Sequence, residues 1–160
     1  MVIVALDVGQ ARIGVAVSDD TGLIATPLTV IHRRSTAQAI EAIARLVREE
    51  GASLVVVGLP VSFDGTLHEQ ARSVQSFARK ARRAVDIPMV YADETLSTVR
   101  AEEQLRAAGV RPERMRERID AAAAAVILQE FLDERRRARA AAEPSIYPAP
   151  AEAGDDAAGR

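Results

Sequence analysis

Val2-Ile3-Val4-Ala5-Leu6-Asp7-Val8-Gly9-Gln10-Ala11-Arg12-Ile13-Gly14-Val15-Ala16-Val17-Ser18 is the stretch whose reading decides the fold. Val2 to Leu6 is a short apolar run, a buried strand that ends at Asp7. Val8 to Ala11 is a tight connection, and Arg12 to Ser18 reads as a second strand. The two are joined too closely to run parallel, so they form a hairpin. Asp19-Asp20-Thr21-Gly22 is a turn, and Leu23 to Ile31 is a third strand whose Pro27 places it at a sheet edge. The period then changes. Ser35-Thr36-Ala37-Gln38 fits a capping box, and Ile40, Ile43, Ala44 and Val47 keep helical spacing until Gly51.

Further on, Ser53 to Leu59 is a solid apolar strand, as expected where both faces are covered. A polar loop, Pro60 to Thr66, leads to a helix with Ala71, Val74, Ala78 and Ala81 on one stripe. Ile87 to Ala92 is a fifth strand ending in Asp93-Glu94. Helices follow over about Thr98–Ala108 and about Arg118–Arg139. The order β-β-β-α-β-α-β-α-α predicts a three-layer α/β domain with a mixed sheet. Periodicity leaves open which strand lies beside which. We expect residues 1–139 to form one domain and the Ala/Pro/acidic tail, 140–160, to be disordered.

Composition narrows the chemistry. The chain has 160 residues, no cysteine and two histidines, His32 and His68, which removes disulfides, thiolate nucleophiles and zinc–thiolate sites. A metal would then rest on carboxylates, which suits a hard ion such as Mg²⁺ or Mn²⁺. Aromatic residues are 3% of the chain, too few for a base-stacking platform. No apolar run or leader suggests a membrane, and the cytoplasm is the expected location. From Glu143 onward the tail carries Glu143, Glu152, Asp155 and Asp156 against Arg160, a charge of −3, so the net charge of −2 leaves +1 on the preceding residues.

In a parallel α/β sheet the carboxyl ends of the strands form the binding edge. Asp7 and Asp93-Glu94 both end strands at that edge. On the last helix Asp120, Ala124, Ile127 and Phe131 share one face, otherwise apolar, and an acid there needs a partner. Each acid alone has a plainer reading: Asp7 as an Asx turn with Gly9, Asp93 as a cap before Thr95, Asp120 as an N-cap near its helix start. Together they have the composition of a divalent-metal site for phosphoryl transfer, which needs neither imidazole nor thiol. Crowded like charges also predict that Asp120→Asn stabilises the metal-free protein. Arg12, the loop residues Ser62 and Thr66, and Arg111, Arg114, Arg116 and Arg118 are candidates for contacting nucleic-acid phosphates. The Arg135-Arg136-Arg137 run fits a solvated helix end.

Leu6-Asp7-Val8-Gly9, Arg12 to Asp19, Val57-Gly58-Leu59-Pro60, Asp64-Gly65-Thr66, Asp93 to Thr98 and Asp120 to Ala124 resemble the YqgF/RuvX family of Holliday-junction resolvases, within the RNase H-like superfamily. Ile127-Leu128-Gln129 and Leu132-Asp133 extend the likeness, which spans about residues 3–133. It implies an RNase H-like fold with sheet order 3-2-1-4-5 and an antiparallel second strand. It also implies that Asp7, Glu94 and Asp120 are the catalytic acids and bind the metal, two Mg²⁺ or Mn²⁺ ions. The implied activity is an endonuclease on branched DNA, on the precursor of small-subunit ribosomal RNA, or on both, with a homodimer suited to a symmetric junction. Three positions depart from the family pattern: Ala11 replaces a basic residue, Ser62 an Asn, and Thr95 an Arg. The first and third remove positive charge beside the site. Rival readings are a nucleotide-binding module, since hairpins of this type also cradle phosphates, and a non-catalytic RNA-binding ribosome-assembly factor.

Overall fold

The computed structural model describes residues 1–60, 68–94 and 97–142. The elements are β1 (Val2–Val8), β2 (Arg12–Ser18), β3 (Ala25–His32), α1 (Thr36–Glu49), β4 (Ala52–Leu59), α2 (Glu69–Ala81), β5 (Met89–Asp93), α3 (Ser97–Ala107) and α4 (Pro112–Ala142). The sheet order is β3-β2-β1-β4-β5. β2 is antiparallel to both neighbours, while β1, β4 and β5 run parallel. This is the sheet order that the resemblance implied.

Alternation along β1 sorts its side chains to two faces. Val4, Leu6 and Val8 join Ile13, Val15, Val55 and Val57 beneath α1 and α2, whose Ile43, Val47, Val74 and Phe77 close that layer. Ile3 and Ala5, with Ala16 and Val56, meet Ala124, Ile127, Leu128 and Leu132 of α4. Asp7 is the next residue on this second face. On its far side α4 also packs on α3, through Ala122, Ala123 and Val126 against Ala101. Every residue from Ala121 to Leu128 is therefore buried, which accounts for a helix segment that is apolar all round.

The side chain of Ser35 accepts from the Gln38 N–H and caps α1, as its sequence suggests. Several boundaries differ from the sequence reading. At the C-terminal end α4 runs to Ala142, so residues 140–142, which the sequence reading assigns to the disordered tail, are helical. β3 begins at Ala25, because Asp19 accepts the Leu23 and Ile24 N–H groups and holds those residues in the turn. α4 begins at Pro112 rather than near Arg118, since proline suits the first helical turn and Gly109 (φ 79°) closes the connection from α3. Asp120 thus stands in the third turn of α4, and its readings as an N-cap or as a dipole-stabilised acid both fall. No helix among the described residues is long and apolar enough to cross a membrane.

Candidate metal centre at the C-terminal sheet edge

Asp7 sits in a row of small residues. Its partner on β2 is Gly14, and Leu6 pairs with Val57 of β4, so Gly58 is the next rung on the other side. Gly58 itself pairs with Ala92 of β5. Both glycines are required by close approach. A Cβ on Gly14 would lie 1.9 Å from the backbone oxygen of Asp120, and one on Gly58 would lie 2.7 Å from Glu94 Oε2 and 2.6 Å from Ile127 Cδ1. With no side chain at Gly14, α4 rests its backbone on β2 and carries Asp120 to the edge of the sheet. The missing side chain at Gly58 lets Glu94 fold back over β4 toward Asp7. The Glu94 N–H donates to the Leu59 carbonyl at 3.2 Å and fixes the start of that turn. The Gln129 side chain accepts from the Ala25 N–H (3.0 Å) and donates to the Leu23 carbonyl (2.9 Å), which pins α4 to the β3 side and sets its register.

The carboxyl groups of Asp7 and Glu94 are hydrogen-bonded to each other. Burial raises the Asp7 carboxyl above the usual range and the charge of Asp120 adds to that rise, while the bond from Glu94 works against it. Glu94 is pushed up to about 8, first by burial and then by the charge of Asp7, the shared hydrogen bond and Asp93. The two carboxyls therefore retain one proton between them, with Glu94 the more strongly raised. Its other oxygen, Oε2, is buried without a hydrogen-bond partner. Asp93 lines a separate recess with Arg100, Glu130 and Phe131.

Asp120 is bound differently. Its Oδ2 lies 2.8 Å from Arg12 Nε, with side chains 23% and 44% exposed. The contact is a charge pair with a poorly aligned N–H, for the same oxygen is buried and lacks a hydrogen bond of good geometry. Arg12 offsets part of the charge of Asp120, while the remainder still acts on Asp7. Among the described residues no three acids or histidines are gathered closely enough to hold one ion together. The structure joins Asp7 to Glu94 and holds Asp120 within electrostatic reach, but ties it to Arg12.

Arg114, Arg116 and Arg118 project from the first turns of α4, and Arg111 immediately precedes them; all four are exposed. Ser62 and Thr66 lie outside the described residues. Gly14, Gly58 and the Arg12–Asp120 pair escaped the sequence reading. The glycines carried a usable signal, since each interrupts an otherwise apolar strand; the ion pair carried none.

A family model described as RuvX: Holliday junction resolvase matches residues 1–134. The chain belongs to the RuvX family. Two relatives bear the name "Putative pre-16S rRNA nuclease". One, from Synechococcus sp. (strain JA-3-3Ab), is 49% identical over 139 residues, covering 87% of each chain. The other, from Chloroflexus aurantiacus, is 47% identical over 135 residues, covering 84% of this chain and 88% of the relative. Among solved structures, T. thermophilus RuvC in complex with a Holliday junction substrate superposes with a TM-score of 0.54 at 18% identity, over 85% of this chain and 96% of that one. The Fowlpox virus resolvase with its Holliday junction DNA gives 0.52 at 11%, over 84% and 99%. These likenesses show the RNase H-like fold. As a RuvX member the chain is a nuclease, a hydrolase of phosphodiester bonds. Nucleases and resolvases of this group bind nucleic acid and generally use divalent metal ions.

Proposed function

We propose that this chain is a divalent-metal-dependent endonuclease of precursor small-subunit ribosomal RNA, with Asp7, Glu94 and Asp120 as its metal ligands. The observation that carries the reading is the meeting of Asp7 with Glu94, whose Oε2 is buried without a hydrogen-bond partner, and the charge of Asp120 within reach of Asp7. An all-oxygen donor set of three acids fits a hard cation, Mg²⁺ or Mn²⁺, and the number of acids suits two ions. A bound cation would supply an activated water and would neutralise the leaving oxygen of a phosphodiester. The chain's own residues do the rest. Asp7, Glu94 and Asp120, once deprotonated, would hold the cation, and Arg12 with the α4 arginines would grip the flanking phosphates. The substrate choice rests on the names of relatives that are nearly half identical.

Branched DNA is the second reading, favoured by the description of the family model. Purified protein with Mg²⁺ or Mn²⁺ is to be offered a transcript spanning the 16S precursor end and, separately, a four-way DNA junction, beside Asp7→Asn. We expect cleavage of the transcript that Asp7→Asn abolishes without loss of RNA binding. Cutting of the junction alone would transfer the function to DNA, and an Asp7→Asn protein as active as wild type would leave a non-catalytic assembly factor.

A further inference from the structure

Arg12 stands where a cation is needed and is itself a cation. Its backbone is tightly held. The Gly9 N–H donates to the Arg12 carbonyl at 2.8 Å, and the Arg33 N–H donates to that of Ala11 at 2.9 Å. Arg33 Nη1 donates to the Gly9 carbonyl at 2.7 Å. The side chain, by contrast, is half exposed and touches Asp120 through Nε alone, without the two-pronged geometry that makes guanidinium–carboxylate pairs strong. The one acid it occupies is the one absent from the Asp7–Glu94 contact. We propose that Arg12 is a built-in counter-ion that competes with the divalent cation for Asp120, and that it passes to a substrate phosphate when the cation takes its place. This inference rests on the metal-dependent reading above and deepens it: the cation and the nucleic acid then bind with positive coupling, transmitted by one side chain.

The physical argument is one of charge. Asp120 Oδ2 is shut off from water, so it must be neutralised at all times. In the metal-free protein Arg12 does this. A guanidinium and a divalent cation repel each other, so they do not share that oxygen. Once displaced, Arg12 remains anchored on the hairpin beside Asp7, an unpaired guanidinium within side-chain reach of the phosphate to be cut. Affinity coupling of this kind is reciprocal: nucleic acid that captures Arg12 strengthens the hold on the cation by the same factor.

Titration calorimetry of Mn²⁺ into wild type, Arg12→Ala and Arg12→Lys, without nucleic acid, tests the competition. Arg12→Ala should bind Mn²⁺ roughly two- to fivefold more tightly, the factor corresponding to a half-exposed ion pair. Arg12→Lys, which keeps the charge, should stay near wild type, and circular dichroism checks that all three are folded. The second measurement is binding of a fluorescent structured RNA with and without Ca²⁺, at constant ionic strength. Wild type should gain affinity on adding Ca²⁺, and Arg12→Ala should lose most of that gain, so that its RNA defect is larger with Ca²⁺ than without. Unchanged or weaker Mn²⁺ binding by Arg12→Ala overturns the proposal, as does an RNA defect of equal size with and without Ca²⁺. If wild type binds no divalent ion at all, both this inference and the metal-dependent reading fall; metal binding indifferent to Arg12 defeats this inference alone.

Discussion

Asp7 and Glu94 share a proton that metal ligands must give up. The Glu94 carboxyl is pushed up to about 8 from 4.5, so at neutral pH the metal-free Asp7–Glu94 pair keeps one proton. Metal binding should therefore release protons, and apparent affinity for Mg²⁺ should climb between pH 6 and about 8, then level off. Calorimetry at pH 7 in two buffers of different ionisation enthalpy measures the release. Stability follows the same group with the opposite sense. An acid whose pKa is raised by folding binds more protons in the native state, so the native state loses ground as pH rises from about 4.5 to about 8. We expect the metal-free protein to melt higher at pH 6 than at pH 8, and Glu94→Gln to flatten that difference. An identical slope in the variant would mean that the pair is not where the proton resides. Asp7, Glu94 and Asp120 were legible as acids at the ends of strands or on a core-facing stripe. Which of them shares a proton and which holds an arginine was not, because both outcomes depend on distances across the sheet.

At the scale of elements, the contact between β2 and α4 places the third acid. Gly14→Ala would push its methyl group into the Asp120 backbone, and overpacking of this kind typically costs about 1–3 kcal/mol. Urea unfolding should show that loss, and the displaced helix should carry Asp120 away and weaken Mn²⁺ binding. A fully stable Gly14→Ala protein would show that α4 can shift without cost. The same helix carries the basic surface. Arg114 and Arg118 lie one turn apart on one stripe, from which Arg116 is turned away. Each phosphate neutralised contributes about −0.9 to the slope of log affinity against log salt on duplex DNA, so Arg114→Ala/Arg118→Ala should flatten it by up to about 2. Arg116→Ala should change it less. An unchanged slope in the double variant would make this turn mere solvated surface. The apolar face of α4 was readable from Asp120, Ala124, Ile127 and Phe131. Its start was not, because Pro112 and the polar turns after it lack any apolar period.

At the scale of the molecule, charge is divided between a domain and a tail. Residues 143–160 carry four acids and one arginine and have few large apolar side chains. Deleting them should leave the melting temperature unchanged and tighten RNA binding modestly at low salt, because a repelling charge is removed. Thermal melting and binding at two salt concentrations check both halves. A large drop in melting temperature would mean that Ile146 and Tyr147 belong to the core.

Sequence alone determined the order and type of the elements, the edge at which Asp7 and Glu94 emerge, and a chemistry without thiols and nearly without imidazole. Those features depend on period, on turn residues and on composition, all of which act over a few neighbouring residues. The neighbours of β1 were not among them; that order came from the family likeness and is now seen in the sheet. Only the tertiary structure decided that α4 is covered on two sides, that Asp7 and Glu94 share a proton, and that Asp120 is held by Arg12. Each of these joins groups far apart in the chain, and their meeting depends on how closely two backbones approach. Gly14 and Gly58 set that approach by having no side chain.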